Sequence, residues 1–312
     1  MATDNNGGPD GPPFFIVGSA RSGTTLVRLM LNAHPEVAVP PESRFITELW
    51  RGRYEVDVDE LLSALAAHPR FALWELPIDA VRQQLGAGGE DGRAPYAAVM
   101  GAAFAAWAKV NGGKVRWGDK TPRYVEHMPL LARLWPEAHF VHLVRDGRNV
   151  AMSYADVTFG PRTVARAAEL WAARVTAGRG HGRFLGGRYH ELRYEDFVAD
   201  PDDCAKELCG WLDLPFDRAM LDYAEGGRGG VLPRAGRNNP HVGGPLRTNT
   251  RTWEREMKER HVEVFEAIAG DVLAELGYPR RHHHISSLAR LEARLGRLGL
   301  PVTRLERSAR HS

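Results

Sequence analysis

A chain of 312 residues with 43% apolar and 26% charged side chains has the make-up of an ordinary globule, long enough for one large α/β domain or two small ones. Its formal net charge of +2 removes any global electrostatic case for nucleic acid, and no apolar run approaches the ~18 residues of an integral membrane segment. Two cysteines, Cys204 and Cys209, five apart in an expected helix, are poorly placed to pair and read as reduced core residues of a cytoplasmic protein.

The opening residues 1–12, "MATDNNGGPDGP", are polar and rich in Gly and Pro, so a disordered leader is expected rather than a signal peptide. Phe14 to Val17 is short, apolar and bounded by Pro and Gly, the signature of a buried parallel strand. A helix is expected over 24–32, then a short strand in "EVAVPP" ending at Pro40. Segments 57–67, 78–86 and 94–111 are helical and rich in Ala and Leu, and an inserted cap is expected there. "KVRWGDKTPRY" predicts a strand and loop, followed by a helix over 123–135. "AHFVHLV", 138–144, is a second core strand, with helices over 146–156 and 162–178 after it. "YHELRYEDF" predicts a strand and turn, and Asp200–Pro201 opens a helix to about 212.

From Gly226 to Asn249 the chain is rich in Gly, Pro, Arg and Asn, which suits a functional loop or lid. A long helix follows over 258–276. The tail, 280–312, carries eight Arg against two Glu. Leu288, Leu291, Leu295 and Leu298 recur there at helical spacing, and their stripe across 286–299 is expected to dock on the domain or on a second copy in a homodimer rather than on a membrane. Strands alternating with helices predict an α/β three-layer sandwich with a central parallel sheet flanked by helices. Heavy use of Ala, Gly and Arg suggests a bacterial genome.

Two segments carry the chemistry. "GSARSGTT", 18–25, sits between the first strand and helix with the skeleton of a phosphate loop. Gly18 and Gly23 permit a tight turn whose amides face an anion, and the next helix presents its positive end there. The Lys of an ATP-binding loop is replaced by Thr24; the cation is Arg21, inside the loop. In "AHFVHLVRDGRNVAMSY", Arg145 stands where a core strand ends, at the edge of the sheet where open α/β folds bind ligands. Ser153 lies about two turns further, on the same helix face. A P-loop nucleotide kinase would instead read "FVHLVRD" as a metal-binding strand with Asp146 on Mg²⁺, but Arg145 interrupts that pattern.

Together these segments resemble the family of sulfotransferases that use 3′-phosphoadenosine 5′-phosphosulfate (PAPS), in a fold similar to the P-loop proteins. "PPESRF", "WGDKTPRY", "LRYEDFVADP" and "TRTWERE…LAELGY" extend the resemblance in order over residues 13–279. The pattern is closer to bacterial and Golgi-type members than to cytosolic aryl and steroid enzymes, which usually carry Lys in place of Arg21 and a catalytic His that has no counterpart here.

The resemblance implies that Arg21, Ser22, Gly23, Thr24 and Thr25 bind the 5′-phosphosulfate, and that Arg145 and Ser153 bind the 3′-phosphate. It implies Tyr194 near the adenine and Trp253 beside the nucleotide. The basic residue that often precedes that Trp is replaced by Thr252, with Arg251 one place earlier. The implied reaction is in-line transfer of a sulfuryl group to a hydroxyl of a small molecule, lipid or glycan. Glu42 is the candidate base, its pKa expected to be raised by partial burial, and Lys120, one of only five lysines, would stabilise the leaving phosphate with Arg21. No metal is expected. A non-catalytic anion-binding scaffold of the same fold is the remaining alternative, and intact Glu42 and Lys120 speak against it.

Overall fold

The computed structural model describes residues 11–86, 92–222 and 252–305. The expected leader (all but its last two residues), the Gly226–Asn249 loop and Arg251 lie outside the described residues.

In chain order the elements are β1 (Phe14–Gly18), α1 (Thr24–Ala33), β2 (Val37–Ala38), α2 (Phe45–Glu48), β3 (Glu55–Asp57), α3 (Val58–Ala66), α4 (Pro69–Ala72), α5 (Ile78–Leu85), β4 (Arg93–Pro95), α6 (Tyr96–Val110) and β5 (Arg116–Lys120). A 3₁₀ segment, Pro122–His127, leads into α7 (Met128–Leu134), β6 (His139–Val144), α8 (Gly147–Tyr154), α9 (Val164–Gly182), β7 (Tyr189–Arg193), α10 (Tyr194–Ala199) and α11 (Pro201–Trp211). Then come α12 (Trp253–Glu256), α13 (Glu259–Glu275) and α14 (Ser287–Arg297).

Five strands form one parallel sheet in the order β2-β5-β1-β6-β7, with the short pair β3–β4 antiparallel and separate. β1 is central and buried on both faces, which is why it reads as an unbroken apolar run. Its side chains alternate between two cores. Phe15 and Val17 pack with α3, α6 and α7, whereas Phe14 and Ile16 pack with α1 and α11. A third apolar cluster beyond β6 joins α8, α9, α13 and α14. The architecture is thus a parallel sheet between helical layers, and it turns the C-terminal ends of β1, β5 and β6 toward the same edge.

Several boundaries differ from the sequence reading for local reasons. The expected helix over 123–135 divides into a 3₁₀ turn and α7, because Pro122 and Pro129 each open a new segment. "YEDF" is the short helix α10 rather than a turn. Cys209 is buried, but Cys204 is only partly so; it lines a surface cavity of about 260 Å³ with His190, Glu207 and Tyr278. The largest departure is α14. Its leucines do not dock on the domain. The helix seats on α9 and α13 through Ala289, Ala293 and Gly296, and a Cβ at Gly296 would lie 2.5 Å from that of Ala165.

Candidate active site

The loop after β1 owes its shape to three left-handed residues, Gly18 (φ 144°), Arg21 (φ 74°) and Gly23 (φ 98°). At Gly18 a Cβ would meet the Leu143 carbonyl oxygen of β6 at 2.5 Å, and at Gly23 it would strike the Tyr194 ring at 2.4 Å. Gly23 is also the N-cap of α1 and supplies no side chain, so the first amides of the helix face the loop unscreened. Arg21 holds a conformation that is costly for an L side chain, a feature that clusters at ligand sites. The Ser22 hydroxyl is buried with no hydrogen-bond partner among the described residues.

Arg21 reaches across to α8, its Nε donating to Ser153 Oγ at 3.2 Å. Arg145 Nη1 donates to the Arg21 carbonyl at 3.1 Å, and its guanidinium lies 4.3 Å from the Tyr194 ring centre. The backbone of Arg145 is pinned in turn by the Trp171 indole, 3.0 Å from its carbonyl. Burial and then the charge of Arg145 lower the pKa of Arg21. Two cations facing each other with a buried, unpartnered Arg145 Nε form a site that an anion would complete. The sequence reading of 21–25, Arg145, Ser153 and Tyr194 thus corresponds to one contiguous surface.

A second cluster forms at the other end of the same loop. Lys120 Nζ, nearly buried at the end of β5, donates to Glu42 Oε1 at 2.8 Å and approaches Thr25 Oγ1 at 3.5 Å. Arg44 lies 3.7 Å from the other Glu42 oxygen. The expectation of a raised Glu42 pKa is not met. Burial does push it up, but Lys120, Arg44 and Arg70 outweigh burial and leave it below its ordinary value. Burial lowers Lys120, and the Glu42 carboxylate opposes that. Glu42 is therefore a carboxylate held in an ion pair, not a poised neutral acid.

Residues that the sequence did not single out build this cluster. Arg28, buried in α1, donates to the carbonyls of Val39 (3.0 Å) and Pro40 (2.9 Å) and so fixes the chain leading to Glu42; burial brings its pKa to about 10. Asp119, next to Lys120 and wholly buried, accepts from Ser43 and from Thr121 (3.0 Å), while Ser43 meets the Tyr124 hydroxyl at 3.0 Å. For Ser43, Asp119 and Thr121 the signal in the sequence was adjacency to the marked Glu42 and Lys120; Arg28 carried none.

Burial pushes Asp119 up to about 7. Between its unfolded value near 4 and about 7 the folded state holds a proton that the unfolded state has lost, so stability falls as pH rises through that window. Asp119→Asn should flatten this dependence. Urea unfolding at pH 4.5 and 7.5 is expected to show the wild type losing on the order of 3 kcal/mol more than the variant between the two; equal slopes would overturn the assignment.

Asp146 is not available as a metal ligand of the kinase type. It accepts from Arg148 Nε (3.0 Å) and Nη2 (2.7 Å) and caps α8 through the Arg148 amide (2.9 Å). Arg148 also binds Glu266 at 2.8 Å and lies 3.5 Å from the Trp253 ring centre. Trp253 is only 4% exposed, between Arg148 and Arg281 at 4.8 Å, and its amide is held by Asn149 Oδ1 at 2.9 Å. It anchors the chain that follows residue 251. His34 is structural, accepting from the Glu36 amide and donating to the Pro215 carbonyl. Among the described residues no group of His, Cys, Asp and Glu has a metal-binding arrangement.

Comparison with known proteins agrees with this geometry. The family model described as "Sulfotransferase family" matches residues 12–218. The chain is 25% identical to protein-tyrosine sulfotransferase 1 of Danio rerio over 86% of its own length and 73% of that protein. It is 27% identical to the protein-tyrosine sulfotransferase of Drosophila melanogaster, but spans only 40% of that chain. Nodulation protein NoeE of Sinorhizobium fredii is 28% identical over 86% of this chain and 67% of its own. The sulfotransferase domain of the Synechococcus PCC 7002 olefin synthase shares the fold, with a TM-score of 0.52 and 21% identity over 86% of this chain and 98% of that one. The sheet, the loop and the family match over most of the chain lead to one conclusion: this protein is an enzyme of the sulfotransferase family.

Proposed function

We propose that this enzyme transfers a sulfuryl group from PAPS to a hydroxyl of a small-molecule, lipid or glycan acceptor. One observation carries the reading. The loop Gly18–Thr25 meets the Arg145–Ser153 cluster at Arg21 and the Lys120–Glu42 cluster at Thr25. A donor with two separate anionic ends suits that division. The residues fit such a group, since Ser22 Oγ and Arg145 Nε are buried donors without partners among the described residues.

PAPS, when bound, supplies the sulfuryl group on a phosphate leaving group. Residues 21–25 would hold the 5′-phosphosulfate, Arg145 and Ser153 the 3′-phosphate, and Tyr194, stacked beneath Arg145, the base. Arg251, from outside the described residues, is a further candidate for the 3′-phosphate. Lys120 would move its ammonium from Glu42 toward the oxygen on which charge develops. That release restores basicity to Glu42, whose Oε1 can then take the acceptor proton. Helices α3–α6 and the 226–250 loop are the proposed acceptor walls. The two free thiols suit a reducing compartment such as the cytoplasm.

Isothermal titration with 3′,5′-adenosine bisphosphate in the presence of a chelator tests the donor. Tight, metal-independent binding that is lost in Arg145→Ala and Ser153→Ala is the expected result. Binding of ATP–Mg²⁺ alone would overturn the reading in favour of a kinase.

A further inference from the structure

The orientation of α14 leaves an apolar stripe in solvent. Leu288 is 58% exposed, Leu291 50% and Leu298 79%, with Leu295 half-buried and Leu300 just beyond the helix also exposed. On a helical wheel the stripe lies nearly opposite the Ala289–Ala293–Gly296 face that seats the helix. Arg290, Arg294 and Arg297 run along one flank of the leucines. Among the described residues Arg290 and Arg294 make no ion pair, and Arg297 lies 3.9 Å from Glu169, which Arg166 already holds at 2.7 Å. Glu292, the one acid of the helix, is turned to the other flank and neutralised by Arg260 at 2.8 Å.

The seating of α14 is firm. Ser286 caps its first turn through the Ala289 amide, and the chain after it is tied to the start of α9 by Val164 N to Thr303 O (3.0 Å) and Leu305 N to Arg162 O (2.9 Å). The leucines are therefore displayed by a rigid element rather than left over at a frayed end.

We infer that α14 is an interfacial anchor that lays its leucine stripe into an anionic lipid surface, with Arg290, Arg294 and Arg297 meeting the headgroups. Two observations favour lipid over a second copy of the chain. An eleven-residue helix is ~16 Å long and ~10 Å wide, so its exposed face offers on the order of 160 Å², far below the ~800 Å² per partner of a stable interface. A paired copy of the helix would also bring six arginines together with no free acid on the helix itself to answer them, whereas anionic headgroups supply that charge. A helix with one leucine face and an arginine flank, seated in the plane of the surface, is the arrangement that binds membranes without crossing them. Among the described residues no helix is long and apolar enough to cross one.

Vesicle flotation of the full chain tests the inference, using phosphatidylcholine alone and phosphatidylcholine with one third phosphatidylglycerol. The expected result is binding to the anionic vesicles only, weakened by salt. Leu291→Ser/Leu298→Ser should reduce partition by ~10-fold or more. Arg290→Gln/Arg294→Gln/Arg297→Gln should abolish the preference for anionic lipid. Both variants should melt and bind 3′,5′-adenosine bisphosphate like the wild type, because none of these side chains reaches the loop site. Equal flotation of wild type and leucine variant would overturn the inference. So would failure of the wild type to float, or a dimer in sedimentation equilibrium that the leucine substitutions dissolve.

Discussion

Glu42→Gln is expected to lower kcat by about 10²–10⁴-fold while leaving the affinity for 3′,5′-adenosine bisphosphate unchanged. The substitution keeps the shape of the side chain and removes only its capacity to accept a proton. Its ion pair with Lys120 at 2.8 Å gives the prediction a second part. In the wild type kcat/KM should fall as pH drops through the depressed pKa of Glu42 in the free enzyme, because protonation removes both the base and the partner of Lys120. In the glutamine variant the residual rate should lack that acidic limb. Steady-state turnover across pH, with titration calorimetry for the nucleotide, measures both. Unchanged turnover would remove Glu42 from the role of base. Normal nucleotide binding with lost turnover would also dispose of the scaffold alternative, since a protein that only binds anions has no rate to lose.

The second large effect concerns the fold. Glu266→Ala is expected to destabilise the protein by about 3–5 kcal/mol, read by urea unfolding. Arg148 is wholly buried, and its charge is answered by Asp146, by Glu266 at 2.8 Å and by the Pro279 carbonyl at 2.9 Å. Deleting Glu266 leaves a guanidinium with one remaining carboxylate in an apolar setting. It also strips the amides of Arg281 (2.9 Å) and His282 (2.7 Å) of their acceptor. Glu266→Gln can keep the Oε1 contacts to Arg148 and Arg281 but sets an NH2 against the His282 amide, and it should still cost less than alanine. A loss below about 1 kcal/mol in the alanine variant would show that water or Asp146 alone satisfies Arg148. The consequence would be local as well as global. Arg148 stacks on Trp253, so the segment after residue 251 should loosen before the sheet does.

Much of the site was legible in the residues because its parts are local. A left-handed glycine, an apolar strand before it and a helix after it lie within twenty residues, so the loop at 18–25 announces itself. Arg145 and Ser153 are eight apart on one strand end and the helix after it, and helical geometry returns them to the same side. The partners of the second cluster are 78 positions apart, and neither spacing nor composition shows that Glu42 and Lys120 touch. That contact is set by β5 lying beside β1 and by Arg28 holding the chain after β2. With Arg44 and Arg70 it also reverses the sign of the Glu42 pKa shift, because the three cations together outweigh burial.

The same division explains the misreadings. Period-3.6 leucines in the tail identified α14 as an amphipathic helix, but the residues that dock are the small ones, which let it approach α9 closely. Trp253 matches a nucleotide-side aromatic by position, and its contact with the buried charge of Arg148, 3.5 Å from the ring centre, was not legible there. By itself, then, the sequence determined the parallel sheet, the anion loop and the family, because strand burial, glycine sterics and helix periodicity act over short stretches of chain. Only the tertiary structure decided which charges pair, which titrate and which face of the last helix meets solvent, because those depend on distances between elements far apart in the chain.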